Sequence, residues 1–260
     1  MIATLSPLHR LTLGIVGFLA FLAFWAGISA SGLVNPVFLP GPVSVVARLL
    51  TLLTTPFAGG TLQLHLASSL QRFASGYLLA VAVGVPLGLL MGRFRLLDDI
   101  VTPLFDALRF IAPIAWVPFA ALWFGTGFGG PVLIIFSGAF PPCLINAYRG
   151  ARYVDARYLE AAEMLGTPNW RIILEVLLPA SVPSIVAGLR ISAGLGWQSL
   201  VGAELIVAST GVGYLMVQAQ SSVSTTTVMV GMLAIGFVGV LIDVALRMVE
   251  ARIRRRLGQV

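Results

Sequence analysis

The chain has 260 residues, 58% of them hydrophobic and 10% charged, and its mean hydropathy of +0.98 excludes a soluble globular domain and places it in a bilayer. All 16 basic residues are Arg, for a formal net charge of +6, and without any Lys the chain cannot carry the phosphate-cradling loop of an ATPase. These arginines are scattered between apolar runs, which points to membrane topology and anionic lipid and away from nucleic acid; the lone Cys143 excludes an internal disulfide.

Met1 to Arg10 is a short polar start. Leu11 to Ala30 follows as an uncharged run able to cross ~30 Å of hydrocarbon. It is longer than the ~7–15 residues of a signal-peptide core, so it reads as a retained span that begins inside the cell. Residues 31–66 form an outer loop, in which Pro36, Pro40 and Pro42 rule out a regular helix before Ser44 to Leu53, an amphipathic segment suited to the membrane interface.

Ala67 to Met91 is the second span. Its Gly76, Gly84 and Gly88 invite close helix contact, which lipid does not otherwise drive. A charged turn, Gly92 to Asp99, precedes the third span, Ile100 to Phe124, where Pro113 and Pro118 predict kinks and Asp106 and Arg109 predict an i, i+3 pair. Pro131 to Tyr148 is the fourth span, broken by Pro141 and Pro142, with Cys143 as a buried, inert thiol.

A long polar interruption then runs from Tyr153 to Pro183. Asp155 caps a helix that ends at Gly166, with Tyr158, Ala161, Ala162 and Leu165 on one face. Thr167 caps a second helix with Pro168 at its first position, and Pro179 stops it. The fifth span, Ser184 to Val207, is rich in Gly and holds Trp197, Gln198, Ser199 and Glu204. Ala208 to Thr227 is an outer loop, and the last span, Val228 to Val249, places Asp243 one turn before Arg247 as a pair.

These runs describe an all-α polytopic membrane protein of about six spans. With the N-terminus inside, Arg10, Arg93, Arg95, Arg149, Arg152, Arg157, Arg171, Arg247 and the tail arginines are cytoplasmic, and Arg48 alone lies clearly in an outer loop. The positive-inside rule thus puts both termini and the polar interruption in the cytoplasm. The chain reads as one membrane domain, residues 1–260, with an N-terminal span to residue 30, a core over 67–250 and the cytoplasmic loop over 150–182.

The loop resembles the EAA signature of bacterial ABC-importer permeases through Glu160, Ala161, Ala162, Gly166, Leu178 and Pro179, with Val176 where the pattern has Ile. The stretches FLPGPVSVV (38–46), SLQRFASGY (69–77), APIAWVPFAALWFGTG (112–127) and GLGWQSLVGAEL (194–205) are similar to the nitrate, sulfonate, taurine and bicarbonate branch of that family. The resemblance implies a type I importer-like fold in the bacterial inner membrane. It implies a homodimer working with ABC ATPase subunits, which hold ATP and Mg, and with an extracytoplasmic substrate-binding protein. This chain would hold no cofactor and hydrolyse nothing. The small helix of the loop would dock on the ATPase and couple its closure to alternating access. The implied cargo is a small anion, a sulfonate, taurine or nitrate; related permeases for aromatic carboxylates and pyrimidine vitamin precursors share the same stretches.

For a route through the membrane the residues leave two readings open. Arg72, Arg109, Trp197, Gln198, Ser199 and Glu204 line a pathway, or they are structural: Arg72 and Arg190 snorkelling from span ends, Arg109 neutralised by Asp106, and Glu204 an interfacial charge. A membrane hydrolase finds no support, since His9 and His65 lie far apart in the sequence and mark no nucleophile–base set, and two His with one Cys make no metal site. An ion-coupled secondary transporter would share the broken, glycine-rich spans, but has no reason to space a cytoplasmic loop in the EAA pattern.

Overall fold

The computed structural model describes residues 7–256; of the polar start expected over Met1 to Arg10, residues 7–10 already belong to a helix, and residues 1–6 and 257–260, the two chain ends, lie outside the described residues. Among the described residues the regular structure is all helix, joined by turns and short loops, with one isolated antiparallel bridge between Phe57 and Gly60. Five helices are long and apolar enough to cross a membrane, or six if a sharply bent pair makes one span. That agrees with an all-α polytopic protein.

The first helix, α1 (Pro7–Ala30), presents its apolar side chains outward, as a lipid-facing span does. Trp25 and Ser29 fasten it to the following turn by donating to the carbonyls of Pro40 and Leu39. Pro42 then opens α2 (Pro42–Thr54), where a missing N–H costs nothing, and Val45 and Leu52 form its buried face.

The centre of the molecule is α6 (Gly129–Arg152), flanked by α3 (Leu62–Arg93) on one side and α9 (Leu178–Val207) on the other. Glycines let these backbones meet. A Cβ on Gly84 would come within 2.9 Å of Cys143, and one on Gly88 within 2.6 Å of the Leu144 carbonyl. Without a hydrophobic drive between helices in lipid, this close packing holds α3 and α6 together. Cys143 is buried there and donates to Ser192 on α9.

Several expected boundaries move. The second span begins at Leu62, and the charged turn after it shrinks to Phe94, because α4 (Arg95–Leu108) restarts at once. The third span is two pieces. Ala112, forced into an extended conformation by Pro113, separates α4 from a short 3-10 turn (Pro113–Trp116) and α5 (Val117–Phe124), and the halves meet at 87°. Pro118 causes no kink, since it lies in the first turn of α5. Nor do Pro141 and Pro142 break α6, which runs on between its two neighbours while Ser192 donates to the Ala139 carbonyl.

The polar interruption is also more continuous than expected. Pro168, not Thr167, caps α8 (Asn169–Arg171), and Pro179 stops nothing. The preceding turn, Ile172–Leu177, widens into a π-helix in which the Leu178 N–H reaches back to the Ile173 carbonyl. A wider turn accommodates a proline ring that would otherwise crowd the carbonyl four residues before it. Residues 169–207 therefore form one helical run. Beyond it, the expected loop over 208–227 contains a further helix, α10 (Val212–Ser221), with Val212, Leu215 and Ala219 buried; α11 (Thr225–Arg256) closes the bundle.

Candidate functional site

The signature loop is held at both ends by its own backbone chemistry. Asp155 accepts the Arg157 N–H at 3.0 Å and starts α7 (Ala156–Met164). At the other end Gly166 adopts φ +70°, its N–H bonds the Glu163 carbonyl, and the Thr167 N–H bonds the Ala162 carbonyl. These two bonds are the Schellman pattern, which a residue with a Cβ adopts only at a cost.

The face expected over Tyr158, Ala161, Ala162 and Leu165 is divided. Ala162 and Leu159 turn inward, and Leu159 joins Leu89, Ala147, Leu177 and Ile185 with Leu178 at the rim. Glu160 and Ala161 turn outward with Tyr158 and Met164, as does Pro179 farther on. Met164 is 88% exposed and Leu165 85%. Of the six signature residues, then, Ala162 and Leu178 brace the loop, Gly166 turns it, and Glu160, Ala161 and Pro179 face away from the bundle.

A cavity of about 620 Å³ opens between the α4–α5 bend, α6 and α9. Arg109, Gln198 and Ser199 line it together with Pro141, Asn146 and Gly202. Arg109 forms the expected pair with Asp106, at 2.8 Å. The wall offers the amides of Gln198 and Asn146, the hydroxyls of Ser137 and Ser199 and a guanidinium paired with Asp106, on an otherwise apolar surface. Trp197 is elsewhere. Its indole donates to the Ile235 carbonyl at 3.1 Å, and its ring stands edge-on to Phe73.

Arg72 and Glu204 lie at the end of the bundle opposite the loop, away from this cavity. Arg72 is not a snorkelling arginine. It is 4% exposed, and its Nη1 lies 3.0 Å from Glu204 and 2.6 Å from the Thr210 carbonyl. Three successive N–H groups at the start of α10 are satisfied here by side chains: Gly211 by His65, Val212 by Ser69 and Gly213 by Glu204. Since His65 accepts at Nδ1, its Nε2 carries the proton and donates to the Phe57 carbonyl. A carboxylate beside a helix N-terminus and a guanidinium is doubly compensated, which is how a buried charge is tolerated.

Arg190 is paired as well. It reaches Asp243 at 2.7 Å, and Arg247 shares that carboxylate at 2.8 Å as expected from their spacing, so the pair joins α9 to α11. The sequence reading missed the Arg72–Glu204 and Arg190–Asp243 contacts. A usable signal was present, because opposite charges stranded in apolar spans have few partners other than one another. It missed Arg93 too, whose Nη2 donates to Glu163 at 2.7 Å and to Asn169 at 2.8 Å.

The family described as binding-protein-dependent transport system inner membrane component matches residues 84–257. The taurine transport system permease protein of Escherichia coli K12 is 34% identical over 256 residues, 98% of this chain and 93% of that protein. The bicarbonate transport system permease protein of Synechococcus elongatus is 35% identical over 246 residues, 92% of this chain and 87% of that protein. Among solved structures, the MetNI methionine ABC transporter in inward-facing conformations superimposes with a TM-score of 0.60 at 18% identity, over 72% of this chain and 93% of that one, a likeness of fold. The chain therefore belongs to the family of binding-protein-dependent transport system inner membrane components, and it is a membrane-spanning permease subunit of an ABC importer.

Proposed function

We propose that this chain, acting over residues 1–260 as one permease unit, imports a small anion, taurine or another sulfonate first and nitrate next. A separate ATPase subunit binds ATP and Mg and hydrolyses ATP, an extracytoplasmic binding protein delivers the solute, and two copies of the chain enclose the route. Both termini and the signature loop face the cytoplasm. The loop couples ATPase closure to alternating access through Glu160, Ala161 and Pro179 on its outward side, with Ala162, Gly166 and Leu178 fixing its shape.

The observation that carries this reading is the outward face of α7. Met164 and Leu165 stand almost fully exposed on a helix fixed by a cap at its start and a glycine turn at its end. Exposed apolar side chains on a pre-shaped element suit a docking partner, since little order is lost on binding. The cargo class rests on the relatives whose names give taurine and bicarbonate, both small solutes that carry an oxyanion group. Uptake into proteoliposomes, with a cognate ATPase and binding protein and labelled taurine, alkanesulfonate, nitrate or bicarbonate, tests it. Uptake of taurine or a sulfonate supports the reading; uptake of bicarbonate alone replaces the cargo.

A further inference from the structure

Arg93 is the last residue of α3, and it grips both arms of the signature loop at once. Its Nη2 donates to Glu163 in the last turn of α7 and to Asn169 at the start of α8, so one nitrogen spans the Gly166 turn. The residue before it is fixed. Gly92 lies so close to Ala151 on α6 that a Cβ would overlap the alanine side chain. Arg93 therefore projects from a closely packed α3–α6 pair and ties the Gly166 turn of the loop to it, beside the apolar packing of Leu159 and Ala162.

The way Arg93 bonds separates two roles. A guanidinium that locks a carboxylate uses two parallel N–H groups and fixes orientation. Here both acceptors converge on Nη2, while the buried Nε has no partner. The two N–H groups of that planar nitrogen point to the two arms, so α7 and α8 are both tied to one point at the end of α3. At its other end α3 carries Ser69 and Arg72, about 30 Å away by helical rise, which hold Glu204 and the start of α10. Motion entering α3 at Arg93 thus reaches the opposite end of the bundle through one continuous helix.

We propose that Arg93 is a positioning residue, a single-point pivot that passes loop movement into α3. The inference rests on the loop being the element that the ATPase moves.

The test measures solute moved per ATP hydrolysed in proteoliposomes holding the complete importer, for wild type, Arg93→Met, Arg93→Lys, Glu163→Gln and the reversed pair Arg93→Glu with Glu163→Arg. A lysine ammonium is a point charge with several donors and can serve both acceptors from one nitrogen. Arg93→Met and Glu163→Gln are expected to lower the ratio about fivefold or more, as a lost coupling contact does. Arg93→Lys is expected to keep it, and the reversed pair to restore most of it. A merely structural pair would change the yield of assembled importer and leave the ratio alone. If Arg93→Met fails to assemble, Glu163→Gln, altered at a half-exposed carboxylate, decides the matter. An unchanged ratio in the assembled variants overturns the pivot while the coupling reading stands. A wild-type importer whose hydrolysis ignores the loaded binding protein overturns both.

Discussion

Arg72 and Glu204, on different helices, meet at 3.0 Å with side chains 5% and 1% exposed, and their network closes over the first three N–H groups of α10. Removing one partner strands a buried charge, which costs about 3–5 kcal/mol. Glu204→Leu and Arg72→Met are each expected to lower the melting temperature of the purified protein. The double variant should recover much of the loss, because two apolar side chains leave no unpaired charge. Melting followed by intrinsic fluorescence in detergent checks this; equal losses that simply add would show that the two do not act as a pair.

The α3–α6 contact makes a sterically sharp prediction. A Cβ on Gly88 would lie 2.6 Å from the backbone carbonyl of Leu144, which cannot swing aside as a side chain does. Gly88→Leu should push the helices apart and reduce the yield of monodisperse protein on size-exclusion chromatography. Gly194 has open space around the same position, so Gly194→Ala on α9 should be tolerated.

Loop shape is open to graded change. Asp155→Ala removes one cap bond, at a cost of about 1 kcal/mol, and Gly166→Ala forces a left-handed residue, at about 1–2 kcal/mol. Both should weaken binding of the ATPase subunit without preventing membrane insertion, as measured by co-purification against salt. A loop whose shape is irrelevant would co-purify equally in all three proteins.

The cavity beside the α4–α5 bend bears on the pathway. Gln198 is exposed on its wall, whereas the Ser199 hydroxyl is packed against Gly138 of α6, so Gln198→Trp would fill much of the space. Solute uptake should fall sharply while ATPase binding persists. Trp197→Phe, altered outside that cavity, should retain uptake and show instead a modest loss of stability from the missing bond to Ile235. Uptake that survives Gln198→Trp would place the route elsewhere.

What could be read from sequence follows from the range of the interactions. Asp155, Gly166 and the Arg109–Asp106 and Arg247–Asp243 pairs act within a turn or two, and each was legible from spacing alone. Apolar runs marked the long helices for the same reason, since lipid imposes length and composition on every residue of a span. The π-helical turn before Pro179 was hidden, because a proline read alone signals a stop and only the surrounding packing shows that the helix widens instead. Likewise α10 looked like a loop. Its start is secured by His65, Ser69 and Glu204, contacts from distant parts of the chain that no local pattern encodes.

The most direct test of the account is ATP hydrolysis by the reconstituted importer with and without loaded binding protein, comparing wild type with Glu160→Lys and Gly166→Pro. Glu160 faces away from the bundle, so reversing its charge should leave the permease folded and abolish the stimulation; Gly166→Pro removes the N–H bonded to Glu163 and should do the same by deforming the turn. Stimulated hydrolysis that persists undiminished in both variants, or solute uptake driven by an ion gradient with no ATPase bound, would contradict the coupling role of this loop.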